Sequence, residues 1–230
     1  DGTLSPRPFR APHHTISAAG LVGGGSPPRA GEITLAHRGV LFLDELPEFK
    51  RQVLEVMRQP MEERRVTISR AKVSVDYPAS FMLIASMNPC PCGFYNHPEK
   101  ENDCGPGVVK KYLTRISGPL LDRIDLHVEV TPVSYDDLSN HEYRSETSSQ
   151  IAERVIRARE IQTDRFKDHP DLFSNAQMPS RMVREVCELT PAGANLLKTA
   201  MTRLQLSARA YDRILKVARP GADLAGSPDI

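Results

Sequence analysis

The sequence predicts an α/β unit followed by an all-helical unit, and three observations carry that prediction. Short apolar runs suited to buried strands occur at Val40–Leu43, 81–87 and 126–130, with helical patterns between them. A period-two pattern on both sides of Arg70-Ala71-Lys72 marks a β-hairpin. From Tyr135 onward the strand patterns stop, and long helical patterns cover about 147–166, 179–189, 191–205 and 208–219. The boundary is placed near residue 134.

Taken in order, residues 1–31 are rich in Gly, Pro, Ser and His and read as irregular, with a short hairpin or helix at most. Glu32–Leu35 is expected to be a short strand. Val40–Leu43 is a strand by its apolar continuity and its Gly39 boundary. Pro47-Glu48 opens a helix, with proline tolerated in the first turn. Phe49, Val53, Leu54, Val56 and Met57 give that helix one broad apolar face through about Gln59. The hairpin follows, with Val66/Ile68 and Val73/Val75 alternating around a basic tip. Strand 81–87 is stopped by Asn88-Pro89, and a Cys/Pro/Gly loop fills 89–107. A helix near 108–116, a short helix from Gly118-Pro119 to Arg123 and a strand at 126–130 complete the first unit.

Composition excludes several classes. The chain has 230 residues, 40% hydrophobic and 26% charged, which is globular, and no apolar run approaches the ~18 residues of a membrane span. No signal peptide pattern opens it. Lys and Arg total 30 against 29 for Asp and Glu, so any nucleic-acid contact must come from local basic elements. Four cysteines in so long a chain argue against a secreted disulfide framework, and the expected compartment is a reducing cytoplasm.

The chemistry is concentrated where the strand Val40–Leu43 ends in Asp44-Glu45. Desolvating two carboxylates is costly, so a buried strand rarely needs them at its tip. A P-loop-type ATPase does need them there: the Asp supports Mg²⁺, and the next Glu polarises the attacking water. Taken alone, the run is equally consistent with a strand that runs out into a solvated acidic turn. The phosphate-cradling element G-x-x-x-x-G-K-[ST] is missing, because the chain contains no Gly-Lys pair. Either the ATPase reading is wrong, or the chain is a piece whose phosphate loop lies upstream of Asp1.

Longer motifs decide the matter. Phe9-Arg10-Ala11-Pro12-His13-His14-Thr15-Ile16-Ser17, the stretch from Gly31-Glu32-Ile33 through Glu45-Leu46-Pro47, Asn88-Pro89-Cys90-Pro91-Cys92-Gly93 and Ser117-Gly118-Pro119-Leu120-Leu121-Asp122-Arg123 resemble the magnesium-chelatase-like AAA+ ATPases. Within these the resemblance is to the bacterial competence (ComM/YifB) family, and it covers nearly the whole chain. It implies an α/β, AAA+ P-loop-type core, partial because its first strand and P-loop are lacking, followed by an all-helical lid. The implied divisions are a core at 1–133, a linker and connecting helix at 134–174, and a lid at 175–230.

The resemblance also implies roles. Asp44 and Glu45 match the Walker B pair, with Asp44 binding Mg²⁺ through ATP and Glu45 catalytic. Asn88 matches sensor 1, whose amide suits the γ-phosphate or the attacking water. Arg123 matches the arginine finger, given in trans to a neighbouring subunit; the alternative is an ion pair within the chain to Asp122 or Asp125. Arg209 matches the lid arginine called sensor 2. Arg70 and Lys72, at the tip of the hairpin, match a pore element that contacts DNA. The glycine-rich stretch Leu21 to Gly25, with Arg29 and Arg38 nearby, is a second pore candidate. Cys90, Cys92 and Cys104 are candidate Zn²⁺ ligands, but Asn102 stands where a further cysteine is expected, and His97 is a substitute fourth ligand. His13-His14 read as structural or interface residues, and Cys187 as a core residue.

The implied whole is a hexameric ATP-driven motor acting on single-stranded or branched DNA, a helicase or branch-migration translocase with ATP and Mg²⁺ as cofactors. One alternative is the motor subunit of a magnesium-chelatase-type metal-insertion complex. The other is an interaction fragment that does not hydrolyse ATP.

Overall fold

The computed structural model describes residues 6–70, 73–95, 100–130, 133, 139 and 145–230. The chain divides into two compact units, Asp1–Pro132 and Val133–Ile230.

The first unit is built on a three-stranded parallel sheet. Strand β1 (Phe9–Arg10) leads to the short helix α1 (Ala18–Val22), capped by Ser17, whose Oγ accepts the Gly20 N–H. A small antiparallel hairpin, β2 (Gly23–Gly24) with β3 (Arg29–Ala30), follows. Next come α2 (Glu32–Leu35) and the central strand β4 (Val40–Leu43). A 3₁₀ turn (Leu46–Glu48), α3 (Arg51–Glu55) and α4 (Arg58–Glu63) lead to the hairpin β5 (Arg65–Arg70) and β6 (Val73–Pro78). Strand β7 (Met82–Ala85), α5 (Pro106–Leu113) and α6 (Gly118–Leu121) complete the unit. The sheet order is β1-β4-β7, with Phe9 beside Val40 and Val40 beside Met82.

One face of this sheet is dressed and the other is bare. Leu41 and Leu43 are fully buried against Leu21, Ile33, Phe49, Val53, Leu54, Met57 and Leu120. Each such aliphatic contributes about 1.5–3 kcal/mol by leaving water. The opposite face carries Phe9, Met82 and Ile84, all exposed, with Phe9 stacked on Phe42 at 6.1 Å between ring centroids. Gly39 permits the close approach of β1 and β4. A Cβ there would lie 1.9 Å from the Pro8 carbonyl oxygen, which accepts the Val40 N–H at 2.8 Å.

Three expectations are corrected. Glu32–Leu35 is a helix, not a strand: Ile33 and Ala36 share a buried face at helical spacing, and Leu35 and Ala36 donate to Gly31 and Glu32. The expected helix over 47–59 is broken, because Phe49 and Lys50 have extended ψ angles between the 3₁₀ turn and α3. Its apolar residues Phe49, Val53, Leu54 and Met57 are nevertheless all buried. Residues 126–130 form no strand; Leu126, Val128 and Val130 are 69%, 80% and 86% exposed. A strand needs a neighbour to satisfy its backbone, and no described residue pairs with this segment.

In the hairpin, Val66 and Ile68 face the core. On the other side the Thr67 hydroxyl donates to Asp76 at 2.6 Å, and Ser69 and Ser74 are 3.1 Å apart. Arg70 pairs with Val73 in register. Ala71, Lys72 and the side chain of Arg70 lie outside the described residues, as does His97.

The second unit is helical. Helix α7 (Ser148–Arg165) opens with a capping box, the Thr147 hydroxyl accepting from Gln150 N–H while the Gln150 side chain accepts from Thr147 N–H. A 3₁₀ turn (Asn175–Gln177), α8 (Ser180–Val186), α9 (Pro191–Arg203) and α10 (Ala208–Ala225) follow. Phe166, Met178, Val183, Cys187, Leu197 and Leu215 form its core. The last helix runs beyond its expected end at 219 in spite of Pro220. Arg219 Nε donates to Asp223 across the proline at 3.1 Å, which helps offset the backbone bond that proline removes. No helix among the described residues is long and apolar enough to cross a membrane.

Candidate functional site

All three parallel strands deliver polar residues to the same end of the sheet, the carboxyl end, where ligands of open α/β sheets bind. Strand β1 leads to His13-His14, β4 to Asp44-Glu45 and β7 to Ser86 and Asn88.

The Asp44 carboxylate is oriented by two donors. Its Oδ1 accepts the Glu45 N–H at 2.9 Å and a short hydrogen bond from the Ser86 hydroxyl. The Ser86 backbone also joins the two strand ends, accepting from Leu46 N–H at 2.9 Å and donating to Leu43 O at 3.0 Å. Asp44 itself is exposed to solvent. A hard carboxylate oxygen, exposed and pre-oriented, fits Mg²⁺, which takes one or two carboxylates together with substrate phosphates.

Glu45 sits in the left-handed region, φ 53° and ψ 48°. For a residue with a Cβ this costs about 1–2 kcal/mol, and such strain gathers at functional sites. The Glu45 side chain is half exposed and meets His14 Nδ1 at 3.2 Å. His14 stands edge-on to Phe49 and 4.0 Å from the His13 ring, so the histidine pair buttresses the acidic turn. Asn88 is exposed two residues beyond Ser86.

Arg123 is not beside this group. It follows α6, where the Ser117 hydroxyl accepts the Leu120 N–H. Its Nη2 pairs with Glu62 at 2.6 Å and its Nη1 donates to the Pro119 carbonyl at 2.5 Å. The carboxylate that meets Arg123 is Glu62 of α4, within the same chain. Its Nε is buried without a hydrogen-bond partner among the described residues. An open cleft lined by Glu55, Gln59, Glu62, Arg65, Thr67 and Arg123 lies here and includes no residue of the Asp44 group. Arg209 belongs to the helical unit and is exposed in the first turn of α10, beside the Ser207 cap.

The cysteine loop is a third group. Cys90 is buried, and the sulfurs of Cys90, Cys92 and Cys104 lie within 4.8 Å of one another. The Phe94 backbone N–H, with the Cys90 thiol, holds Cys92 down at about 7. The Cys92 side chain pushes Cys104 up. Sequence reasoning singles out Asp44, Glu45 and the cysteines as candidates by type and spacing. It missed Ser86 and Glu62, whose only signal is a contact across the fold.

Comparison with known proteins gives a consistent picture. Residues 1–138 match the family described as magnesium chelatase, subunit ChlI, and residues 145–230 match the ChlI C-terminal family. The chain is 48% identical over 224 residues to "Competence protein ComM" of Haemophilus influenzae, covering 97% of this chain and 43% of that protein. It is 46% identical over 220 residues to "Uncharacterized protein YifB" of Escherichia coli, covering 95% of this chain and 42% of that protein. A more distant match, 22% identical over 135 residues, is the "Magnesium-chelatase subunit ChlI homolog" of Methanocaldococcus jannaschii, with 57% of this chain and 34% of that protein covered. The chain therefore spans less than half the length of these relatives.

Proposed function

The chain belongs to the magnesium-chelatase-like ATPase family, in its ComM/YifB group, and on that premise we propose that it is part of the ATPase module of a hexameric motor acting on DNA. The observation that carries this reading is the acidic turn: Asp44 fixed by Ser86, and Glu45 held in a strained conformation beside it. In this reading Asp44 would hold the Mg²⁺ that accompanies ATP, and that ion would supply charge neutralisation at the phosphates. Glu45 accepts a proton from, and orients, the attacking water. His14 holds the Glu45 carboxylate until a water competes for it. Asn88 donates its amide toward the γ-phosphate, and Arg209 reports the nucleotide from the helical unit. Arg123 serves a neighbouring subunit, which requires it to exchange Glu62 for phosphate oxygens. ATP binding further requires a lysine-bearing phosphate loop, which these 230 residues do not contain. The core, connecting segment and lid divide at 133 and 174.

The test is Glu45→Gln in the full-length protein. Turnover should fall by roughly 10²–10⁴, the usual loss of a positioned base, while ATP stays bound. Hydrolysis at the wild-type rate would refute the assignment. For DNA, the supporting feature is the basic sequence at the β5–β6 tip. Replacing Arg70 and Lys72 by alanine should weaken DNA binding and reduce the salt slope by about 1.4–1.8, two phosphate contacts' worth. An unchanged slope removes the hairpin from the interface.

The second reading, the motor subunit of a magnesium-chelatase-type metal-insertion complex, is favoured by the ChlI family match and by the more distant ChlI relatives. The 48% identity to the competence protein against 22% to the ChlI homolog favours the DNA reading. ATPase stimulation by single-stranded or branched DNA separates the two.

A further inference from the structure

We propose that Cys90, Cys92 and Cys104, together with the side-chain oxygen of Asn102, bind one Zn²⁺ ion as a three-thiolate, one-amide centre. This inference does not rest on the ATPase reading.

The geometry leads to it. A tetrahedral ion with Zn–S bonds of about 2.3 Å holds its sulfurs roughly 3.8 Å apart. Here Cys90 and Cys92 are 3.2 Å apart, and all three sulfurs fall within 4.8 Å of one another. No disulfide joins them, so all three sulfurs are free to act as ligands. The fourth corner is occupied by oxygen: Asn102 Oδ1 lies 3.1 Å from Cys92 Sγ and 3.7 Å from Cys90 Sγ. Asn102 is itself clamped, its Nδ2 donating to Cys104 O at 3.1 Å and its Oδ1 accepting Cys104 N–H at 3.0 Å.

An outer shell is also in place. The Tyr95 backbone N–H points at Cys90 Sγ from 3.3 Å, and donors of this kind orient thiolate ligands and spread their charge. Gly93, at φ 82°, supplies the left-handed turn that brings the following N–H groups back over the sulfurs. The donor chemistry selects a thiophilic divalent ion over Mg²⁺ or Ca²⁺, because three of its four atoms are soft. Three thiolates and a neutral amide leave the centre with a single negative charge. A fourth cysteine would double it. Since Cys90 lies two residues beyond Asn88 and Cys104 two residues before α5, the ion ties the end of β7 to the start of that helix.

The experiment uses the full chain, purified with a reductant, with zinc measured by mass spectrometry and the site probed by Co²⁺ replacement. Expected are about one zinc per chain and, with Co²⁺, a tetrahedral visible spectrum with thiolate charge-transfer bands. Asn102→Ala should weaken zinc binding about 10–100-fold, whereas Asn102→Cys should keep one ion and tighten it. The Asn102→Cys charge-transfer intensity should rise by about a third, from three thiolates to four. Circular dichroism of each variant separates loss of the site from loss of the fold. A chain without zinc that gives no charge-transfer band with Co²⁺ overturns the proposal. So does a Cys90–Cys92 disulfide under reducing conditions, or zinc retained unchanged in Cys104→Ser. Unchanged affinity in Asn102→Ala overturns the role of the amide.

Discussion

Asp223 is the residue whose removal should most damage the helical unit. Its side chain is fully buried, and its two oxygens accept four hydrogen bonds: 2.8 and 2.5 Å from Arg165, 2.7 Å from Asn175 and 3.1 Å from Arg219. Arg219 is almost as deeply buried and also donates to the Ser227 and Pro228 carbonyls, so the chain end is fastened through the same cluster. Asp223→Ala strands two guanidiniums without their counter-charge. Breaking a buried pair from one side costs about 3–5 kcal/mol. Against a domain stability of about 5–15 kcal/mol, that is about a fifth of the total or more. At about 4–8 °C per kcal/mol, the melting midpoint of this unit should fall by more than ~10 °C. Hydrogen exchange resolved on peptides from α10 isolates this unit from the other. A loss below about 1 kcal/mol would refute the reasoning, because it would mean that water replaces the carboxylate at no cost. Acid gives an independent check. Burial alone pushes the Asp223 carboxyl up, but its bonds to Arg165 and Asn175 and the charges of Arg165 and Arg219 bring it below its ordinary value. The folded state then holds fewer protons than the unfolded one. The stabilisation is complete above about pH 4 and is lost as pH falls through the depressed value, so the advantage over Asp223→Asn should shrink there.

Gly39→Ala should destabilise the first unit by about 1–3 kcal/mol, read as a lower urea midpoint, since its Cβ would meet Pro8 O at 1.9 Å. Ser86→Ala in the full-length protein should raise the Mg²⁺ requirement or lower turnover about 10–100-fold. That is the equivalent of a 1.5–3 kcal/mol hydrogen bond to a charged acceptor, and unchanged kinetics would deny Ser86 an orienting role. Glu62→Gln should raise turnover a few-fold by loosening Arg123, while Arg123→Ala should abolish it; a fall in Glu62→Gln would show that the pair must stay intact.

Legibility followed the range of the interactions involved. Strand β4 was readable because four consecutive apolar residues end at Gly39 on one side and two carboxylates on the other. The β5–β6 hairpin was readable because its faces alternate with period two. Glu32–Leu35 was misread since four residues are too few to show a period, and the helix is selected by burial of Ile33 and Ala36 and by the Arg10–Glu32 pair at 2.6 Å. Residues 126–130 look like a strand in isolation, but a strand is a property of a pair. At the site, Asp44-Glu45 is adjacent in sequence and so visible. Ser86 reaches Asp44 from 42 residues away, and no local pattern announces it. The histidine pair, read as structural, does pack on the acidic turn, a contact made by the parallel pairing of β1 with β4.

The half-dressed sheet has a practical consequence. Parallel sheets are ordinarily covered on both faces. Here Phe9, Met82 and Ile84 form an apolar page beside β7, whose outer edge has no described partner strand. Such a page and such an edge both invite other polypeptides. Produced as these 230 residues, the chain will behave as a chaperone client: light scattering will rise steeply with concentration, and solubility will depend on what is added to cover that face.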